Sequence, residues 1–310
     1  MDEQNLPLIK RLYIYQKERF PVLLNVVAVC VFTFSAISYS RICRGADGFV
    51  SWQTYAIGCF ATFTLFFLVR VFDEFKDRVD DAKYRSYLPV PRGLIKLSEL
   101  RNIAIVIGIL QISIIAYFQF PMLYLYCIVI GFLCLMGVEF FIPNYLKPRQ
   151  ILYITSHMFI IPLLDVYSSG LDWLLEGATP HFGLVFFFIV SYMNGILVEF
   201  GRKLKAPEDE EPNVVSYTKM WGTTKAIVIW IFTLLITLTI ATIAAHYAGY
   251  GLITFIVLLA LAIICIIPAI LFMKNPSKKL AKATEAVSAL WTVGMYLSLG
   301  GIPMLTNILS

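Results

Sequence analysis

Long stretches without a charged residue recur along the 310-residue chain, and hydrophobic positions dominate them. A helix needs about 20 consecutive apolar residues to cross the hydrocarbon core of a bilayer. Nine stretches reach or approach this length: 21–40, 50–69, 102–120, 121–138, 150–164, 182–198, 226–245, 252–273 and 286–308. The pattern predicts an all-α, polytopic membrane protein with nine transmembrane helices in a bundle, forming a single domain over residues 1–310.

Two boundaries within this pattern depend on local sequence. Residues 102–138 form one uncharged stretch that is too long for a single span. We divide it between Phe120 and Pro121, because proline suits the first turn of a helix. The fifth stretch is short, and we expect its helix to continue past Asp165 to about residue 170.

The basic residues between the apolar stretches alternate in a way that predicts the orientation of the chain. With the N-terminus in the cytoplasm, 23 of the 25 Lys and Arg residues fall in segments on the cytoplasmic side. Only Arg41 and Arg44 fall on the other side. Because loops facing the cytoplasm are enriched in Lys and Arg, the N-terminus is predicted to be cytoplasmic. The lack of an evident transit peptide or long loop favours a bacterial inner membrane.

Composition agrees with this pattern and excludes other classes of protein. The chain is 59% hydrophobic and 15% charged, whereas a soluble domain carries about 25% charge. This excludes an ordinary soluble domain and a disordered chain. The net charge of +5 is small, and no nucleic-acid partner is expected. The six cysteines form no C-x-x-C pair, so neither a disulfide framework nor a thiolate metal site is indicated.

Half of the 20 acidic residues lie in two short segments. Five fall between Asp73 and Asp81, after the second apolar stretch, and five fall between Glu199 and Glu211, after the sixth. The two cytoplasmic segments that contain them span about residues 70–101 and 199–225. Because both are predicted on the same side of the membrane, they can face each other.

The first acidic segment has a spacing that suits a metal ion. On a continuous helix, Glu74, Asp77 and Asp81 would lie within about 60° of one another, and Asp73 would extend the arc to about 100°. Like charges at this spacing repel, so the stripe needs a compensating cation. Mg²⁺ typically binds one or two carboxylates together with phosphate oxygens of a substrate. Interleaved basic residues suit an anionic diphosphate, although a solvated, salt-bridged helix end is the alternative interpretation.

These residues resemble a motif of the UbiA-type intramembrane prenyltransferases. That family carries Asn-Asp-x-x-Asp-x-x-x-Asp after its second helix, followed by a basic stretch and a turn. The matching residues here are Asp73-Glu74-x-x-Asp77-x-x-x-Asp81, then Arg85 and Pro89-Val-Pro-Arg-Gly93. Asp73 replaces the Asn of the family and Glu74 replaces its first Asp. Both substitutions keep an oxygen ligand.

The second acidic segment resembles the family less closely. The family has Asp-x-x-x-Asp after its sixth helix, and this chain has Glu199 there but Lys203 at the later position. The segment continues to Ser216-Tyr217-x-x-x-Trp-Gly222. A second metal site would use Glu199 with an acid from the loop or would be reduced, and Arg202 and Lys203 would then contact diphosphate directly.

The resemblance implies an activity and a set of site residues. The activity is Mg²⁺-dependent transfer of a prenyl group from a polyprenyl diphosphate to an aromatic or lipid-like hydrophobic acceptor within the bilayer. The implied metal ligands are Asp73, Glu74, Asp77, Asp81 and Glu199. The implied diphosphate-binding cations are Arg85, Lys147, Arg202 and Lys203. The active site would face the cytoplasm, where Lys147 is equally consistent with an interfacial anchor.

Polar residues within the apolar stretches add an acceptor pocket to this hypothesis, because such residues are costly in a bilayer and often functional. His157 and Asp165 would share one face of a continuous helix. We expect His157 to act with Asp77 and Asp81 in catalysis, as an acceptor-side base or orienting group. Asn194 would line the same pocket. A hydrogen-bonded structural role is the alternative for both His157 and Asn194.

Two other functions remain open from the sequence. A membrane terpene cyclase would share the ionisation step of the prenyltransferases but trap the carbocation internally. A transporter with a cytoplasmic acidic gate belongs to a different class, and the largely apolar mid-membrane segments count against it.

Overall fold

The computed structural model describes residues 6–211 and 214–309, and within them every regular element is helical. The helices are α1 Leu8–Arg19, α2 Val22–Cys43, α3 Trp52–Lys76, α4 Arg78–Tyr84, α5 Leu97–Phe118, α6 Met122–Gly137, α7 Pro143–Leu146, α8 Gln150–His157, α9 Ile160–Trp173, α10 Gly183–Arg202, α11 Tyr217–Trp221, α12 Thr223–Tyr247, α13 Gly251–Lys274, α14 Lys278–Tyr296 and α15 Ile302–Leu309. The predicted all-α membrane fold is confirmed.

Eight helical segments in the described part of the chain are long and apolar enough to span a membrane. Two of them join shorter helices: Gln150–Trp173 contains α8 and α9, and Lys278–Ile308 contains α14 and α15. The predicted stretch 121–138 forms α6, which has only 16 residues. Each of the nine apolar stretches therefore coincides with helix, while the count of nine spans and the cytoplasmic N-terminus stay predictions.

Several helices begin or end away from the apolar stretches because polar caps set their ends. The last predicted stretch starts at residue 286, but α14 starts at Lys278, where the Ser277 side chain accepts a hydrogen bond from the backbone N–H of Leu280. Ser51 caps α3 in the same way through Thr54. Apolar length thus locates each span, and capping residues locate its end.

The chain divides into two compact units. The first contains Met1–Thr33 and Val50–Pro148. In it, α1 packs through the buried Tyr15 against Val71, Ile95 and Leu100. A buried amide links three of its helices, because Gln111 donates to Thr64 Oγ1 at 2.7 Å and accepts from Tyr126 at 3.0 Å. Such satisfied polar links suit helices in an apolar environment.

The second unit contains Phe34–Phe49 and Arg149–Ser310. Its helices are joined by indole hydrogen bonds, from Trp230 to Ser288 at 3.0 Å and from Trp291 to Asn194 at 3.1 Å. Near its C-terminal end, a π-helical turn over Leu297–Gly301 brings Gly300 against the backbone carbonyl of Ser35, where a Cβ atom would not fit. This close approach explains the glycine at that position.

Candidate active site

The first acidic segment is not one continuous helix, which corrects the geometry assumed from the sequence. The helix α3 ends at Lys76 and α4 begins at Arg78, with Asp77 between them at φ −90° and ψ 3°. The backbone N–H of Asp81 still bonds to the carbonyl of Asp77 at 2.8 Å. The break lies where four carboxylates would otherwise repel one another along a single stripe.

Glu74 is a buried anion held between two guanidinium groups. It is 2% exposed, and its Oε1 atom accepts from Arg19 Nε at 2.8 Å and from Arg70 Nη2 at 2.7 Å. The Tyr15 hydroxyl lies 3.4 Å from the same oxygen. Hydrogen bonds from ionised donors are the strong ones, so these contacts fix this carboxylate in place.

Asp77 and Asp81 have fewer or longer contacts with hydrogen-bond donors and cations than Glu74 has. Within the described residues, no cation forms an ion pair with Asp77, and burial raises the pKa of its carboxyl to about 6. Asp81 is 2% exposed, with Arg85 Nη1 at 3.3 Å and Arg19 Nη2 at 4.0 Å. No described group donates a hydrogen bond to its buried Oδ1 atom. Burial also raises the pKa of Asp81, against the opposing effect of Arg85.

These two carboxylates fit a divalent cation better than the others in the segment do. A cation ligand needs a carboxylate oxygen whose lone pairs are not already taken by N–H donors. Asp77 meets this condition, and the Oδ1 atom of Asp81 accepts no hydrogen bond although Arg85 Nη1 lies 3.3 Å from it, whereas Glu74 Oε1 does not meet it. Asp73 is paired with Lys76 at 2.9 Å. As the described side chains stand, no three His, Cys, Asp or Glu residues are grouped closely enough to hold a metal ion.

The turn after α4 is ordered, as predicted. Backbone hydrogen bonds of 3.0 Å run from Arg92 to Leu88 and from Gly93 to Val90, and Gly93 has a φ of 82° that favours glycine. Arg92 also forms a bidentate ion pair with Glu18, at 2.7 and 2.8 Å. This pair ties the turn to α1 beside the first acidic segment.

Lys147 lies beside the first acidic segment, at the end of an unusual turn. Its Nζ atom is 3.2 Å from Asp80 and 3.8 Å from Glu139. Burial lowers the pKa of Lys147, but the hydrogen bond with Asp80 and the charge of Glu139 outweigh it and raise the pKa. Glu139, Phe140 and Phe141 all have φ values of 50–60°, a left-handed conformation that non-glycine residues rarely adopt.

The second acidic segment lies in the second unit, and its own basic residues pair with Glu199. Arg202 Nη2 lies 2.6 Å and Lys203 Nζ 2.9 Å from the Glu199 carboxylate. The loop acids contact neighbouring backbone and side chains: Asp209 pairs with Lys278 at 2.8 Å, and Glu210 accepts hydrogen bonds from Ser216. The expectation that the two acidic segments face each other stays a prediction.

Comparison with known proteins decides the family. The sequence matches the UbiA prenyltransferase family over residues 29–300. The chain belongs to the UbiA prenyltransferase family. It is therefore an integral membrane enzyme that transfers prenyl groups, and the transporter interpretation is not supported.

A solved structure has the same fold. It is described as giving structural and mechanistic insights into the biosynthesis of digeranylgeranylglyceryl phosphate synthase in membranes. The two structures superpose with a TM-score of 0.56 at 18% sequence identity, over 95% of this chain and 99% of the other. The search of curated proteins gives no significant match.

The predicted acceptor residues of this UbiA family member lie in the second unit. The helix α8 ends at His157, whose ring stacks on Tyr153 with centroids 4.0 Å apart. A short turn at Met158 and Phe159 separates α8 from α9, which begins at Ile160, and the common face of His157 and Asp165 stays a prediction. Asn194 is buried and accepts the hydrogen bond of Trp291. Their roles at an acceptor stay predictions.

Sequence reasoning missed the contribution of α1 to this UbiA site. Arg11, Tyr15 and Arg19 recur every four residues and therefore form one stripe on α1. Arg11 pairs with Glu99 at 2.7 Å, while Tyr15 and Arg19 contact Glu74. The four-residue spacing was the available signal, but it does not reveal which carboxylates the stripe meets.

Proposed function

We propose that this enzyme catalyses the Mg²⁺-dependent transfer of a prenyl group from a polyprenyl diphosphate to a hydrophobic acceptor, aromatic or lipid-like. The observation that carries the proposal is the pair of under-satisfied carboxylates, Asp77 and Asp81, next to the cations Arg85 and Lys147. Acidic groups for a divalent ion beside basic groups for phosphate suit a diphosphate substrate. The proposed site is the cytoplasmic end of the first unit, in a bacterial inner membrane.

The residues of the first acidic segment have distinct proposed roles. Asp77 and Asp81 hold Mg²⁺, with Asp73 as a further oxygen ligand once Lys76 is displaced. Bound Mg²⁺ would supply neutralising charge for the departing diphosphate. Arg85 and Lys147 bind the diphosphate oxygens through charged N–H donors.

The second unit contributes the remaining proposed groups. Glu199 is the predicted metal ligand there, but it is paired with Arg202 and Lys203. Arg202 and Lys203 are the predicted diphosphate-binding cations of this unit. His157 orients the acceptor or takes its proton, and Asn194 lines the acceptor pocket. Each assignment is tested by substitution to the nearest uncharged or isosteric residue.

The decisive experiment identifies the products. Purified protein in lipid nanodiscs is supplied with Mg²⁺, prenyl diphosphates of several chain lengths, and acceptors from both the aromatic and the lipid class. Pyrophosphate release and lipid products are followed by mass spectrometry, with Asp77→Asn as the inactive control and EDTA to remove the metal. The proposal expects an acceptor-dependent prenylated product that disappears in both controls.

Other outcomes separate the alternatives. A hydrocarbon formed without any acceptor would indicate a terpene cyclase in place of a transferase. Absence of pyrophosphate release with every chain length and acceptor would contradict the proposal. Glu285→Gln, an exposed substitution on α14, serves as the matched acidic control and should behave as wild type.

A further inference from the structure

We propose that the guanidinium groups of Arg19 and Arg70 provide the positive charge at Glu74, where the family motif implies a metal ion, so that Asp77 and Asp81 are the metal-binding carboxylates of this segment. The inference rests on the proposed function, because it concerns the same metal site. It differs from the sequence expectation, in which Glu74 is itself a metal ligand.

The first step is the close pairing of Glu74 with two guanidinium groups. One of its oxygens receives donors from both arginines, at 2.8 and 2.7 Å, and a second nitrogen of Arg70 lies 3.3 Å away. Two positive charges therefore already surround a single negative one. A divalent ion at the same carboxylate would meet both of them at close range, and the repulsion is strong where water is limited.

The second step is the contrast with the neighbouring acids. Asp77 has no ion pair among the described residues, and the Oδ1 atom of Asp81 is buried without a hydrogen-bond donor in the same part of the chain. These oxygens still have lone pairs for a hard cation. The segment thus contains one carboxylate bonded closely to two guanidinium groups, one with longer ion pairs to Arg85 at 3.3 Å and Arg19 at 4.0 Å, and one, Asp77, with no ion pair among the described residues.

The third step is the origin of Arg19. It lies on α1, Leu8–Arg19, which precedes the residues 29–300 that match the family. The helix α1 is held in place by the buried Tyr15 and by the ion pair of Arg11 with Glu99. The Arg19 side chain is 15% exposed, so it is an ordered part of the first unit. This cation at Glu74 is supplied from outside the family core.

The consequence is a positioning role for Arg19. Its Nη2 atom lies 4.0 Å from Asp81 Oδ2, while its Nε atom bonds to Glu74. One guanidinium group therefore links the compensated carboxylate to a proposed metal ligand. Arg19 positions Glu74 in this arrangement, reaches Asp81 only at 4.0 Å, and is not expected to contact the reacting atoms.

Binding of Mn²⁺ alone tests the inference without requiring turnover. Free Mn²⁺ is measured by electron paramagnetic resonance during titration of the purified full-length protein in detergent, and melting temperature is followed on the same samples. Asp77→Asn is expected to raise the Kd for Mn²⁺ at least about tenfold, whereas Glu74→Gln is expected to leave it within about threefold. Glu74→Gln should lower the melting temperature, because two guanidinium groups lose their counter-ion. Asp80→Asn, an exposed acid on α4, is the matched control for binding.

A second variant keeps the inference testable if Glu74→Gln does not fold. Arg19→Gln leaves Glu74 in place with less compensation, so Mn²⁺ should bind as tightly as in wild type or more tightly. Weaker binding in Arg19→Gln, or a tenfold loss in a well-folded Glu74→Gln variant, would overturn the inference. If wild type binds no Mn²⁺, the proposed metal site fails, and this inference fails with it. Loss of binding in Glu74→Gln alone leaves the proposed function standing.

Discussion

Two buried acidic clusters of this enzyme differ in how completely their carboxylates are bonded. In the second unit, Asp172 is fully buried, and each of its oxygens accepts two hydrogen bonds from Ser40, Arg41 and Arg44, at 2.7–2.9 Å. In the first unit, Asp81 is buried and Asp77 is half-buried, and the ion pairs of Asp81 with Arg85 and Arg19 are longer, at 3.3 and 4.0 Å. A saturated buried carboxylate stabilises the fold, whereas an unsaturated one indicates a ligand.

The largest expected effect is on catalysis at the unsaturated cluster. Asp77→Asn should lower the rate of pyrophosphate release by about 10²–10³-fold, because removal of one electrostatic group from an active site has effects of this size. The melting temperature should not fall, since the substitution removes a half-buried negative charge that has no ion pair among the described residues. The rate is measured under single-turnover conditions, and the melting curve is recorded without metal.

A loss of stability in the Asp77→Asn variant would contradict the distinction between the two clusters. If Asp77→Asn unfolded the protein as readily as a substitution at Asp172 does, then the incomplete bonding of Asp77 would not distinguish a functional carboxylate from a structural one.

Substitution of Asp172 in the second unit is expected to lower stability and to leave the activity of the folded enzyme unchanged. Asp172→Asn leaves Arg41 and Arg44 with reduced compensation, and breaking a buried ion pair in this way costs about 3–5 kcal/mol. Denaturation in a mixed detergent series measures the change. Turnover per folded molecule should remain near that of wild type, so a large loss of activity at full folding would contradict the structural role of Asp172.

The sequence revealed most of the fold but only part of this difference between clusters. Each apolar stretch coincides with helix, because the length needed to cross a bilayer is a local property of the chain. The acidic spacing from Asp73 to Asp81 likewise located the candidate site. In contrast, one of the two arginine partners of Glu74 is Arg19, 55 residues earlier, and no local pattern reveals such a contact. The break at Asp77 also escaped prediction, since no glycine or proline marks it between residues 73 and 81.

Substitution of Lys147 is expected to have a smaller effect, on the binding of prenyl diphosphate at the candidate active site. Lys147→Met should raise the KM for prenyl diphosphate about tenfold with less change in kcat, because a single exposed charge-assisted contact to phosphate is lost. Lys147→Arg keeps the charge and should recover part of the affinity. An unchanged KM in Lys147→Met would remove this residue from the diphosphate site.

The smallest expected effect is a pH dependence of stability at the saturated cluster. Glu176 is partly buried, which raises the pKa of its carboxyl, but hydrogen bonds from Arg41 and Arg44 outweigh this and lower the pKa. A lowered pKa in the folded state adds stability above the unfolded value of about 4.5, and that stability is lost as pH falls below it. Glu176 is 43% exposed, so solvent screening keeps the contribution small. The melting temperatures of wild type and Glu176→Gln should therefore converge as the pH falls from about 5 to about 3, with wild type higher at the upper end. A difference that stays constant over this range would show that Glu176 does not take part in the ionic bonding of the cluster.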